Sequence, residues 1–499
     1  MTGWLVVAVP ELRHRGWRIL AVPVLWLPLV LLSPLLIAGG AYPAGPAAAP
    51  PVSQAPPGEP EDAASSSQAK DLYRFAAGHL KAGKWTSRAV TQLERAISLD
   101  PNQAAFHESL GCAYLARFTE TLMGEDFGKP LGPGVTVPGG PLMASRAAAG
   151  AKDVESARKE LERAVALAPS EARYHHSLGW YYALWVQLLG TDETPDKAAM
   201  TLRNAYTQLT QAVSLSPKDP AYLSSLADLV RLTDGRQPAP DEKGHPIVIP
   251  DAWDLYTRAA VLRGAPAGLH HLLAVHYTDQ EGSRSTRATE ELHLARAADP
   301  GNALYPYLLA CLQEQQAAGT DDKSAKSPLL DASYRLLGEA NRCPKLVLRP
   351  YVPAFPALLA PTLTKVMLLV ESMPLFAKLR GLARGLVGYG RELEDGSPST
   401  AFAVYREVAT LGQRLAGDPR DFGTVGNDTL LDKLVGIAVT RIATKPTTAL
   451  ATKLGDQRWL QWAKTLDQQM DGLRDTMKGM VAPAEGTEPA PPASPAARQ

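Results

Sequence analysis

One spacing recurs along this chain: an alanine, a larger apolar residue four positions later, a second alanine three positions further, and a proline five positions after that. Two alanines seven positions apart lie on one face of an α-helix, and their small size lets a neighbouring helix approach closely. The proline cannot continue the helix interior, so it marks the end of each unit. The full pattern begins at Ala89, Ala157, Ala205 and Ala288. It predicts an array of closely packed helices.

Two further copies of the pattern are incomplete. One begins at Ala252 and has its proline displaced to Pro266. The other begins at Ala332, where Glu339 occupies the position of the second alanine and Ala340 lies one position late. Both are expected to form helical units, with Ala332 buried like the first alanine of each complete copy.

The helix before two of these units carries the pattern Leu-Gly-x-x-Tyr, beginning at Leu110 and at Leu178. The whole arrangement resembles the tetratricopeptide repeat (TPR), a helix–turn–helix unit of about 34 residues. Residues 70–103 fit this unit without a gap, and the resemblance covers residues 70–346. It implies an all-α, right-handed solenoid of about six helical hairpins. Residues 347–481 form an irregular C-terminal helical region, interpreted as degenerate repeats or a capping bundle.

The N-terminus predicts a membrane tether. A basic segment, residues 1–18, precedes an uncharged apolar run at residues 19–38. A helix of that length spans about 30 Å, which matches a bilayer core and favours a transmembrane signal-anchor. A cleaved signal peptide is the alternative, since small residues follow the run. The basic flank is expected to stay cytoplasmic, so the body would be exported to the periplasm or the cell exterior, or secreted after cleavage.

Three kinds of segment are expected to lack regular structure. Residues 42–69 are rich in Pro, Ala and Ser and predict a linker, and residues 482–499 predict a disordered tail. The turns between paired helices are enlarged at residues 119–152, 187–197 and 231–250. Equivalent turns of a solenoid project from the same edge, so these insertions are expected to be irregular neighbours in space.

Composition and motifs argue against several functions. Lys and Arg together number 51, as do Asp and Glu, so the chain lacks the positive charge of a nucleic-acid binder. The three cysteines are far apart, and no HExxH, CxxC or GxSxG motif occurs. The adjacent histidine pairs, at 175–176 and 270–271, each predict one packing and one groove-facing side chain. The sequence therefore predicts no enzyme, no cofactor, no metal and no nucleic-acid partner.

The resemblance to TPR proteins implies a concave groove that grips a peptide or protein partner. In that family certain positions of the first helix of each repeat face the groove. Here those positions are Arg74, Lys81, Glu108, Arg173, His176, Trp180, Asp228, Arg231, His271, Tyr307 and Glu314. This mixture suits a membrane-tethered or exported scaffold for protein–protein interaction. The alternatives are a groove that binds a glycan or small ligand, and an inner face that is only solvated or is covered by the insertions.

Overall fold

The computed structural model describes residues 60–83, 86–123, 140–189, 195–233, 236–348, 350–359, 373–417 and 430–481. Within these ranges the chain is all-α. Its helices are α1 (Pro60–Lys81), α2 (Thr86–Leu99), α3 (Ala104–Met123), α4 (Gly140–Leu167), α5 (Ala172–Leu189), α6 (Pro195–Leu215), α7 (Pro220–Thr233), α8 (Ala252–Ala260), α9 (Ala267–Glu281), α10 (Thr286–Ala298), α11 (Leu304–Ala318), α12 (Lys323–Arg342), α13 (Met373–Leu393), α14 (Pro398–Ala416), α15 (Leu430–Leu454) and α16 (Gln457–Val481).

Helices α1 to α12 form six successive hairpins, and each second helix carries the alanine pattern on its buried face. The side chains of Ala89, Ala157, Ala205 and Ala288 are all fully buried, which confirms the packing prediction. The glycine of Leu-Gly-x-x-Tyr faces these alanine helices. A Cβ atom at Gly111 would lie only 2.6 Å from Leu161 of the paired helix. Small residues on both partners thus permit the close approach, and the described chain is a TPR-like helical solenoid.

In the sixth hairpin the buried face is displaced by one residue from the prediction. Ser333, Leu337 and Ala340 are fully buried on α12, whereas Ala332 remains partly exposed. The expected burial of Ala332 is therefore wrong. The physical reason is that serine is nearly as small as alanine, and its hydroxyl donates a 2.9 Å hydrogen bond to the carbonyl of Ala310 across the hairpin.

Two segments expected to be irregular are partly helical. Helix α1 begins at Pro60, ten residues before the predicted end of the linker, and Ala69 is fully buried. The first insertion is shortened from both sides, because α3 continues to Met123 and α4 already begins at Gly140. Residues 42–59, 124–139 and 190–194 lie outside the described residues.

The third insertion is irregular, as predicted. Residues 236–251 contain no helix, and they lie against α6, which begins in the second insertion. The amide of Ala239 donates a 2.9 Å hydrogen bond to the carbonyl of Ala199, and Arg203 donates to the carbonyl of Pro240. The described part of the third insertion is therefore a neighbour of the second.

Helices α13 to α16 extend the array by two more pairs. Helix α13 packs on α11 and α12, and one hydrophobic core runs without a break from the fifth hairpin to α16. The tightest contact joins α14 to α15, where a Cβ atom at Gly436 would lie 2.3 Å from the amide nitrogen of Ala416. The described part of the C-terminal region thus stacks on the repeats instead of forming a separate body.

None of the described helices is long and apolar enough to cross a membrane. The predicted signal-anchor at 19–38, the basic segment at 1–18 and the predicted tail at 482–499 all lie outside the described residues.

Candidate functional site

The concave face of the array holds part of its own chain. After α12 the polypeptide continues as an extended segment, residues 345–348 and 350–359, which we call the groove segment. Pro350, Pro353 and Pro356 occur in it at every third position, and proline prevents such a segment from becoming helical. The segment crosses the hairpins in reverse order, from the sixth towards the first.

The first contacts of the groove segment are with the sixth hairpin. The amide of Lys345 donates to the carbonyl of Gly301, and the amide of Ala303 donates to the carbonyl of Lys345 at 2.9 Å. The side chain of Asn302 is buried beside them and uses both of its polar ends. Its oxygen accepts a 3.0 Å hydrogen bond from the amide of Val347, and its nitrogen donates to the carbonyl of the same residue. Asn302 thus pairs with a peptide unit as a neighbouring strand would.

The middle of the segment passes the fifth and fourth hairpins. A Cβ atom at Gly268 on α9 would lie 2.2 Å from the carbonyl oxygen of Pro350, so the backbone approaches where a side chain is lacking. Tyr351 then donates its hydroxyl to the buried carboxylate of Asp228 on α7, at 2.7 Å, and Tyr256 on α8 donates to the same group. Burial raises the pKa of both tyrosines well above the usual value, so both remain donors.

The third hairpin holds the next residues. The carbonyl of Ala354 accepts two hydrogen bonds, one from the indole Nε1 of Trp180 at 3.2 Å and one from the hydroxyl of Ser225 at 2.9 Å. The ring of Phe355 lies edge-on to the Trp180 ring, with centroids 4.6 Å apart. His176 Nε2 lies 2.7 Å from the Ser225 hydroxyl, and burial lowers the pKa of this histidine to about 4. These groups bind one backbone carbonyl and one aromatic ring.

The segment ends against the first two hairpins. Leu358 packs on the apolar cluster that includes Leu80 and Leu110, and Leu359 is fully buried. Between residues 351 and 355 the side chains alternate, with Tyr351 and Phe355 buried and the even-numbered positions partly exposed. An extended chain of this length reaches at most about 50 Å. The array therefore contacts its own polypeptide along most of the described hairpins.

Four of the predicted groove residues surround this segment. Trp180 and Asp228 bond to it directly, and His176 contacts Trp180 and Ser225. The positive charge of Arg231 lies close enough to lower the pKa of Tyr351 against the larger effect of burial. The structure therefore brings His176, Trp180, Asp228 and Arg231 together.

Three of the other predicted residues lie elsewhere in the array. Glu108 accepts a 2.8 Å hydrogen bond from Ser177 and lies 3.9 Å from Arg173, and burial raises its pKa. Tyr307 is fully buried inside the sixth hairpin, where its hydroxyl donates to Asn341 at 2.6 Å. These residues are not described in contact with the groove segment.

The remaining four face α13 or solvent. Glu314 lies directly against Gly385 of α13, where a Cβ atom would meet its carboxylate at 2.0 Å. His271 is half-buried, and burial together with the charge of Lys378 on α13 lowers its pKa to about 4. Arg74 and Lys81 are exposed on α1.

The histidine pairs divide as predicted. His175 contacts the second helix of its hairpin through Gln208 at 2.7 Å, and His270 contacts Glu291 at 2.7 Å. The second histidine of each pair, His176 or His271, points away from that helix. Among the described residues, no three His, Cys, Asp or Glu side chains are placed to hold a metal ion together.

Stability is expected to fall on acidification because His176 and His271 are neutral in the folded protein. Their folded pKa of about 4 lies below the ordinary 6.5, so the unfolded chain takes up protons first as pH falls. Their contribution is complete above pH 6.5 and is lost as pH falls towards 4. Urea unfolding at pH 7.5 and 4.5 should show a loss on the order of 2 kcal/mol per histidine. His176→Gln should reduce this loss, whereas His245→Gln, at an exposed site, should leave it unchanged.

Several residues of the site were not predicted. They are Ser225, Gly268, Asn302 and the groove segment itself. The available signal was the short alternation of Tyr351, Pro353 and Phe355 between prolines, which is typical of an extended chain buried on one side. Nothing in that alternation shows where along the solenoid the segment would lie.

No protein-family model matches this chain, and no curated protein matches it. Solved structures similar to it include PilF of Pseudomonas aeruginosa, with 14% identity, a TM-score of 0.32, and coverage of 55% of this chain and 93% of that one. The S. pombe nuclear import adaptor Nro1 has 13% identity and a TM-score of 0.32 over 56% of this chain and 94% of its own. Yeast Tom70 has 13% identity and a TM-score of 0.23 over 78% of this chain and 93% of its own. These values are low, so the fold assignment depends on the hairpin packing described above.

Proposed function

We propose that this protein is a non-enzymatic scaffold for protein–protein interaction, and that its concave face binds extended peptide segments. One observation carries the proposal: the groove already holds an extended chain. That chain is held by the kinds of contact that bind peptides, namely side-chain hydrogen bonds to its backbone and buried positions for alternate side chains.

The backbone contacts support peptide binding in particular. Asn302 bonds to both the amide and the carbonyl of Val347, and Trp180 and Ser225 both donate to the carbonyl of Ala354. Every extended peptide offers these backbone groups, whatever its sequence. A glycan offers hydroxyl groups in a different arrangement, so the glycan alternative is not favoured.

We further propose that the body is exported and remains tethered through residues 19–38. The apolar run and the basic segment before it support this placement. A phosphatase that is active only outside the cytoplasm, fused after Gln499, should be active. Recovery of that activity with membranes would support the anchor, and recovery in the soluble fraction would support cleavage.

Binding in trans tests the peptide-binding function. In the full-length double variant Tyr351→Ala/Phe355→Ala, the groove segment loses its two aromatic anchors. A labelled peptide with the sequence of residues 345–359 should then bind the variant and raise its fluorescence anisotropy. The unaltered protein should bind it at least tenfold more weakly, since the tethered segment competes at an effective concentration on the order of millimolar.

A scrambled peptide of the same composition is the control and should not bind either protein. Circular dichroism must show that the double variant keeps its helices, and Phe355→Ala alone serves as a milder variant if it does not. Failure of a folded variant to bind the peptide would overturn the proposed function.

A further inference from the structure

We propose that the external partner presents an extended segment of the pattern Tyr-x-Pro-x-Phe and enters the groove by displacing residues 350–356. This inference rests on the proposed function, and it adds the chemical identity of the peptide. The resident segment competes for the groove at all times, so a partner has to satisfy the same contacts at least as well.

The tyrosine requirement follows from Asp228. This carboxylate is 1% exposed, and Tyr256 of the array and Tyr351 of the groove segment both donate to it. Replacing the second tyrosine with phenylalanine would remove a donor from a buried anion, which costs more than the hydrogen bond itself gains. A site built to bond a hydroxyl discriminates strongly against the analogue without one.

The aromatic requirement four positions later follows from Trp180. Its indole ring packs against Phe355 while its Nε1 donates to the preceding carbonyl, so one buried side chain fixes two consecutive features of the peptide. Because the Asp228 and Trp180 contacts are both fixed in the array, the distance between them sets the spacing between the two aromatic residues.

The proline between them has a different role. Pro353 is buried, and proline restricts the free peptide to extended conformations, so less conformational entropy is lost on binding. At Gly268 the peptide backbone lies too close for any intervening side chain. The groove therefore selects a chain that is already extended before it binds.

The assay with the Tyr351→Ala/Phe355→Ala protein tests this pattern. Labelled peptides of residues 345–359 would carry Tyr351→Phe, Phe355→Ala or Pro353→Ala, and Ala357→Ser at an exposed position is the matched control. We expect Tyr351→Phe to weaken binding about tenfold or more, Phe355→Ala by at least as much, and Pro353→Ala by a smaller factor. The control peptide should bind within twofold of the unaltered sequence.

The role of Asp228 is separated by a cycle. Adding Asp228→Asn to the loosened protein should reduce its preference for the tyrosine peptide over the phenylalanine peptide to within about threefold. Equal binding of both peptides to the protein with Asp228 intact would overturn the proposed pattern but leave peptide binding standing. Absence of all binding would instead overturn the function beneath it.

A second copy of this chain is the other source of the same pattern. If groove segments exchange between two copies, light scattering of the loosened protein with full-length wild-type chain would show a dimer. That result, with no binding of added peptide, would overturn the proposal of an external partner in favour of self-association.

Discussion

Replacing Gly268 with alanine is expected to push the groove segment off the array. The new methyl group would lie 2.2 Å from the carbonyl oxygen of Pro350 and 2.7 Å from the Cα of Tyr351, both of them backbone atoms that cannot rotate away. Overpacking of this kind costs about 1–3 kcal/mol of unfolding free energy. Chymotrypsin should then cleave after Tyr351 and Phe355 at least tenfold faster than in the unaltered protein, because both side chains are buried only while the segment stays bound.

Gly78→Ala on α1 is the matched control. Nothing lies within 4 Å of the Cβ atom that this substitution adds. Alanine favours a helix over glycine by up to about 1 kcal/mol, so the control should be slightly stabilised and its cleavage pattern unchanged. The two substitutions are chemically identical but should have opposite signs. If Gly268→Ala behaved like the control, the placement of the groove segment against α9 would be wrong.

The array could be predicted from sequence because its packing is recorded locally. Each buried alanine pair lies within two turns of one helix, so a spacing of seven residues reveals the contact face. The sixth hairpin shows the limit of this reasoning. Ser333 and Ala340 have the correct spacing, but the search for alanine selected Ala332 in the neighbouring register.

The groove could be predicted only on one side. Trp180 and Asp228 were identified from their positions in the first helix of a repeat, which the family pattern fixes. Their partners were not identified, since Tyr351 is 123 residues from Asp228 and Ala354 is 174 residues from Trp180. A contact between residues so far apart leaves no periodicity in the sequence. Three of the predicted groove residues, Tyr307, Glu314 and His271, lie against other helices for the same reason, because α12 and α13 cover that part of the face.

Replacing Asp228 with alanine is expected to be the most destabilising single change at this site. The hydroxyls of Tyr256 and Tyr351 would lose their shared acceptor while remaining buried, and each unsatisfied buried group costs about 1–3 kcal/mol. Urea unfolding should therefore show a loss of about 2–5 kcal/mol. The cavity left by the carboxylate adds to this loss, because the surrounding helices relax only in part.

Tyr351→Phe and Tyr256→Phe divide this effect between the groove segment and the array. Each removes one donor from Asp228, so each should cost about 1–3 kcal/mol, and each should cost less when Asp228 is already alanine. Only Tyr351→Phe should also speed chymotrypsin cleavage after Phe355, because only that hydroxyl ties the segment to the array. If both phenylalanine variants speeded this cleavage equally, the segment would be held by the general stability of the hairpins and not by the carboxylate. Asp228 would then be a packing residue of the fourth hairpin, without a part in selecting what the groove binds.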